Sequence, residues 1–93
     1  MQQTENNTIK LEYPITAGAQ LIQEITLRRP KVKDTLAVQK AGGSQAEQEI
    51  RLVANLATLT PSDIEELDAA DYAHVQAVLT SFFSPAQRSS ART

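Results

Sequence analysis

His74 follows Asp71 by one helical turn, and a histidine beside a carboxylate can act as a general base with its orienting partner. No nucleophile is suitably placed to use such a base. The 93-residue chain has one histidine and no cysteine, which excludes a site with two imidazoles, a thiolate zinc site and a cysteine nucleophile. We therefore interpret His74 as a surface or boundary histidine and predict no catalytic residue and no cofactor.

A run of acidic residues between Pro61 and Gln76 has the oxygen ligands that a hard metal ion prefers. A calcium loop also needs a central glycine, and the sequence has no glycine after Gly43. Three of the acids fall at predicted helix N-termini, where the helix dipole favours a carboxylate. We therefore predict capping and a solvated acidic surface rather than a metal site. The acids are Asp63, Glu65, Glu66, Asp68 and Asp71.

Charge is unevenly distributed, although the net charge is only −2. Residues 28–40 contain five basic residues and one acid, whereas residues 61–76 contain five acids and no base. Two interpretations stay open, namely two arms of opposite charge that face each other and two separate docking surfaces. The net charge gives no general attraction to nucleic acid, and no apolar window is long enough to span a membrane, so we predict neither partner.

The elements that position these residues begin with an alternating apolar pattern, which predicts an antiparallel hairpin over residues 9–28. Gly18 lies at the predicted turn. Pro14 cannot donate a ladder hydrogen bond, so its strand should be at an edge or break there. The residues predicted to point inward are Ile9, Leu11, Tyr13, Ile15, Leu21, Ile25 and Leu27. A lone hairpin is marginal in water, so this face must lie on helices or on another chain.

Helix signals follow at about 32–41, 45–59, 61–67 and 69–83. In the first helix Val32, Leu36 and Val38 are predicted to face inward. Ser44 and Glu47 form a capping box for the second helix, which is apolar on two sides and therefore central. Thr60 and Asp68 are predicted N-caps. The chain should be a single small α+β domain over 9–83, with a disordered N-terminus at 1–8 and a flexible tail at 84–93.

Three segments, taken in order, resemble the tail assembly chaperone family of contractile-tailed bacteriophages and prophages, the E-type tail proteins. They are ITLRRPKVKD at 25–34, KAGGSQAEQE at 40–49 and LTPSDIEELDAADY at 59–72. The resemblance covers roughly residues 11–83. It implies a protein without enzymatic activity that binds the tape measure protein and helps to recruit tail tube subunits. It also implies action in the host bacterial cytoplasm and absence from the mature virion.

A chaperone for a long apolar helix needs an apolar surface with a charged rim. Phe82 and Phe83 end the last helix, and adjacent helical positions lie about 100° apart, so either both lie in one wide buried stripe or one is a partner anchor. We predict that the partner-binding residues are Leu79, Phe82, Phe83, Arg28 and Arg29. A homo-oligomer with head-to-tail contacts also stays open.

Two other functions are less consistent with the sequence. A small acidic regulatory protein, such as an antitoxin or a transcription factor, would bind DNA, but the helix after the Thr60-Pro61 turn carries acids that would repel phosphates. A small metal-dependent enzyme would be stabilised by divalent cations. The regulatory protein is retained as the alternative function.

Overall fold

The computed structural model describes residues 7–83, in which an antiparallel hairpin is followed by four helices. This architecture confirms the predicted α+β class. The predicted tail at 84–93 and residues 1–6 of the predicted disordered N-terminus lie outside the described residues. The elements are β1 (Thr8–Ala17), β2 (Gln20–Thr26), α1 (Val32–Ala41), α2 (Gln45–Ala57), α3 (Pro61–Glu65) and α4 (Ala69–Phe82).

Regular structure begins earlier than the sequence suggested, because residues 7 and 8 are part of the hairpin. The carbonyl of Asn7 accepts a hydrogen bond from the Leu27 amide at 3.0 Å. Thr8 pairs with Thr26 across the ladder, and their hydroxyl oxygens are 2.9 Å apart. These contacts offset the polar character that led us to predict disorder here.

The hairpin contains a large irregularity in β1. Between the pair Lys10–Glu24 and the pair Ile15–Ile22, β1 has four residues where β2 has only Gln23. Pro14 lies in this bulge, in agreement with the prediction that the strand would be interrupted there. Ile9, Leu11 and Ile15 are buried as predicted, but Tyr13 lies in the bulge and is exposed, so the prediction that it points inward is wrong.

The same irregularity changes which residues of β2 meet the core. Ile25 is buried on one side of it, but on the turn side Ile22 packs against the core while Leu21 is 60% exposed. The prediction that Leu21 points inward is therefore wrong, because a shift of one residue moves a side chain to the other face of a strand.

Asp71 in the first turn of α4 holds the bulge in place. Its two carboxylate oxygens accept hydrogen bonds from the backbone amides of Glu12 and Tyr13, each at 3.0 Å. The residue is 1% exposed. Its predicted place at a helix N-terminus is confirmed. The prediction of a solvated face is wrong for Asp71, because α4 packs against β1 and the bulge supplies two amides without ladder partners.

The central position predicted for α2 is confirmed. This helix packs against α1, α3 and β2, and its Glu49 carboxylate accepts hydrogen bonds from Tyr72 Oη at 2.7 Å and Gln76 Nε2 at 2.9 Å on α4. The predicted capping box at its start is also present, with Ser44 Oγ accepting from the Glu47 amide at 3.1 Å and Glu47 Oε1 from the Ser44 amide at 2.9 Å.

The predicted caps of the two later helices are present as well. Thr60 Oγ1 accepts from the Asp63 amide at 3.2 Å, and Asp68 accepts from the Ala70 amide at 2.9 Å. The apolar core lies between the inner face of the hairpin and the four helices. Its most deeply buried side chains are Ile25, Leu27, Val53, Leu56 and Val75.

The Asp71→Asn substitution should lower the free energy of unfolding by about 2 kcal/mol. An asparagine has one acceptor oxygen, and its amide nitrogen would face one of the two bulge amides and leave it unsatisfied. Urea denaturation would measure the loss, and faster exchange of the Glu12 and Tyr13 amides would locate it. Asp68→Asn is the matched control, because asparagine is an equally good N-cap. Equal stability of the two variants would contradict the role given to Asp71.

Candidate partner-binding surface

The segment between β2 and α1 is held by a carboxylate on the helix that follows it. Arg28 makes a bidentate salt bridge to Asp34, in which Nη2 donates to Oδ1 at 2.8 Å and Nη1 donates to Oδ2 at 2.9 Å. The Lys31 amide also donates to Asp34 Oδ2 at 2.7 Å. Asp34 is buried even though it is charged, because these three hydrogen bonds replace its hydration.

The ion pair shifts the titration of both residues. The hydrogen bonds from Arg28, and then the one from the Lys31 amide, hold the pKa of Asp34 well below its ordinary value of 3.8. The same contact with Asp34 raises the pKa of the Arg28 guanidinium. The pair therefore stays charged across the physiological range and fixes the direction in which α1 leaves the hairpin.

Arg29 connects the same segment to the end of α4. Its guanidinium carbon lies 5.1 Å from the centre of the Phe82 ring, and Nη2 donates to the Phe82 carbonyl at 3.3 Å. A cation near the last carbonyls of a helix also interacts favourably with the helix dipole. The Arg28 and Arg29 segment is thus attached to both α1 and α4.

The five residues predicted to bind a partner occupy two environments. Leu79 and Phe82 are buried in the core, whereas Phe83 is 51% exposed. Arg28 and Arg29 lie at the surface with the contacts described above. The structure brings Arg29 and Phe82 together, and it leaves Phe83 as the aromatic side chain that a partner can reach at this end of α4. We call the exposed residues Arg28, Arg29 and Phe83 the aromatic end surface, which excludes the buried Leu79 and Phe82.

The exposed side of α1 carries two apolar residues that were predicted to face inward. Val32 is 81% exposed and Leu36 is 51% exposed, so the prediction that they face inward is wrong, whereas Val38 is buried as predicted. Asp34 and Val38 are one turn apart and form the buried side of the helix. Because Arg28 draws Asp34 toward the hairpin, the helix is rotated so that Val32 and Leu36 face solvent. An acid six residues after an arginine was the signal available in the sequence.

The acidic residues and His74 form no metal centre within residues 7–83. No group of three histidine, cysteine, aspartate or glutamate side chains in this range could hold a metal ion. His74 is exposed, and the carboxylate of Asp71, three residues earlier, accepts hydrogen bonds from β1 instead. None of the described helices has the length and apolar character needed to cross a bilayer.

Exposed apolar side chains near basic residues lie on α1 and at the end of α4 in this small α+β fold, and such groups are common at protein–protein interfaces. A family model described as "Phage tail assembly chaperone proteins, E, or 41 or 14" matches residues 8–84. The chain belongs to this family and is a phage tail assembly chaperone, which confirms the resemblance identified in its sequence. Comparison with curated proteins and with solved structures gave no match.

The Arg28–Asp34 pair should make stability depend on pH in the acid range. A carboxyl with a depressed folded pKa stabilises the protein above its unfolded value near 3.8, and that contribution is lost as the pH falls toward the folded pKa. The stability difference between the wild type and Asp34→Asn should therefore be constant above about pH 5 and shrink below about pH 4. Denaturant unfolding from acid to neutral pH would measure it.

Arg28→Gln provides the matched variant, since it removes the other half of the same pair. Its stability difference from the wild type should shrink over the same acid range. A difference for Asp34→Asn that is equally large at neutral and at strongly acid pH would contradict the assignment.

Proposed function

We propose that this chaperone binds the tape measure protein and helps to recruit tail tube subunits while the tail is assembled. In this proposal it acts in the host bacterial cytoplasm, catalyses no reaction and does not remain in the mature virion. The observation that carries the proposal is the exposure of Phe83, which directly follows the Phe82 that Arg29 contacts, in a chain of the tail assembly chaperone family.

The chemistry of the proposed partner matches this surface. A tape measure protein is a long helical chain with apolar stripes, which must be covered before the tube surrounds it. An aromatic side chain on a helix end is a low-entropy anchor for such a stripe. Leu79 and Phe82 are buried beneath it and keep the end of α4 fixed, so Phe83 is presented from a rigid support.

In this proposal the basic residues of the aromatic end surface supply the polar rim. Arg29 is held over the Phe82 ring, and Arg28 retains an exposed side chain although it is paired with Asp34. Cations around an apolar anchor keep the free chaperone soluble and orient a partner segment that carries acids. The two arginines thus favour one orientation of the bound helix over the other.

Replacing Phe83 with serine should abolish most of the binding to the tape measure protein. We expect a loss of about 30-fold in affinity, the effect typical of a hot-spot side chain. Co-purification of tagged chaperone with coexpressed tape measure protein would show the loss, and titration with a purified complex-forming fragment would quantify it. The amount of tape measure protein in the soluble fraction should fall in parallel.

Leu21→Ser is the control, because Leu21 is also a large exposed apolar residue but lies on the hairpin, 60% exposed. It should bind like the wild type. Full binding by Phe83→Ser, or loss of binding by Leu21→Ser alone, would contradict the proposed surface. Thermal unfolding of both variants should match the wild type, since neither side chain is buried.

The tube-recruitment half of the proposal has its own test. Purified tail tube protein should join the complex of chaperone and tape measure protein, and mass spectrometry of finished particles should detect no chaperone. Failure of tube protein to bind the complex would remove recruitment from the function. Chaperone present in stoichiometric amounts in finished particles would contradict a transient role.

A further inference from the structure

Two surface features of the described chain are complementary to each other but lie on different helices. The first is the exposed side of α1, where Val32 and Leu36 are one turn apart and form a small apolar ridge. Lys40 lies one turn beyond Leu36, and Lys33 lies next to Val32, both exposed. Since Asp34 is turned toward Arg28, lysines flank the ridge without a neighbouring free acid on α1.

The second feature is a small apolar cleft where α2, α3 and the start of α4 meet. Its volume is about 260 Å³, below the range of about 300–1,000 Å³ that small-molecule sites occupy. The cleft therefore suits a few aliphatic side chains better than a cofactor. It is lined by Ile50, Ile64, Glu65, Leu67, Ala69 and Tyr72.

The rim of this cleft is acidic. Glu65 lines the cleft directly. Glu66 and Asp68 are exposed and alternate in sequence with the lining residues Glu65, Leu67 and Ala69. The carboxylate of Glu49 lies 2.7 Å from the hydroxyl of Tyr72, which also lines the cleft. Burial, and after it the hydrogen bond to Glu49, raises the pKa of Tyr72.

We propose that α1 of one copy of this chain inserts Val32 and Leu36 into the cleft of a second copy, with Lys33 and Lys40 facing its acidic rim. Among residues 7–83 nothing covers the ridge, as the exposure of Val32 shows. In this contact the apolar ridge packs in the apolar cleft, and the basic segment 28–40 of one copy faces the acidic segment 61–76 of the other. A second copy is therefore the occupant that satisfies both surfaces at once.

The contact joins two different surfaces, so it is heterologous. The assembly keeps a free ridge at one end and a free cleft at the other, so further copies can add. If the rotation between neighbouring copies closes, they form a ring, and otherwise they form an open chain. The inference concerns the chain alone and does not depend on the tape measure protein. Failure of the proposed binding to the tape measure protein would therefore leave this inference intact, and absence of self-association would leave the proposed function intact.

Sedimentation equilibrium of the full chain without tail components tests the association. The weight-average mass should rise with concentration between about 10 μM and about 1 mM, the range of weak complexes. It should fall when the salt is raised from about 0.05 to about 0.5 M, because the Debye length shrinks from about 14 Å to about 4 Å. A monomer at every concentration and both salt levels would overturn the proposal.

Two variants separate the two halves of the contact. Val32→Asp blocks the ridge, and an acid in the first turn of α1 is compatible with the helix dipole. Glu65→Lys reverses the charge at the cleft, and a cation at the end of α3 is likewise compatible. Each variant alone should associate about 30-fold more weakly than the wild type.

An equal mixture of the two variants should form a 1:1 heterodimer and no larger species. The intact ridge of Glu65→Lys enters the intact cleft of Val32→Asp, and the other two surfaces are blocked. Leu21→Asp, at another exposed apolar position that lies on the hairpin, should associate like the wild type. Absence of the heterodimer, or undiminished association of either single variant, would overturn the heterologous contact. Circular dichroism and thermal unfolding would verify that all variants are folded.

Discussion

Two backbone amides in the bulge of β1 have no partner in the ladder, and the buried carboxylate of Asp71 supplies one for each. Such amides would be costly to bury if they were unpaired, so the hairpin can lie on the helices only where Asp71 reaches it. This requirement fixes the start of α4 against β1. The remaining stripe of α4, with Val75, Leu79 and Phe82, is then directed into the core.

Asp34 imposes a similar constraint at the other end of the hairpin. Its bonds to Arg28 and to the Lys31 amide fix α1 relative to the end of β2 and place Val38 inward. In this orientation of α1, Val32 and Leu36 face outward and leave an apolar ridge exposed to water. Two buried acids thus decide which faces of the helices are available to partners, although neither touches a partner itself.

The resulting molecule combines helices with apolar groups that no other part of residues 7–83 covers. This combination suits a phage tail assembly chaperone, whose role depends on contacts with other polypeptides rather than on a reactive group. The aromatic end surface and the α1 ridge belong to adjoining segments, since Arg29 contacts Phe82 and precedes Val32 by three residues. The proposed association between copies and the proposed binding of a tape measure helix therefore involve neighbouring parts of the molecule.

Local signals in the sequence determined the order of hairpin and helices, the caps at Ser44, Thr60 and Asp68 and the membership of the family. Alternation, capping chemistry and glycine positions act over a few residues and need no distant partner. The exposure of Tyr13, Leu21, Val32 and Leu36 was decided only by the tertiary structure. Each depends on a bulge or on an ion pair whose partner is fixed by packing, and periodicity within one segment carries no record of such contacts. Asp71 lies in register with Val75 and Leu79, so its burial was indicated by spacing, but the amides that bind it lie 58 and 59 residues away and meet it only in the folded chain.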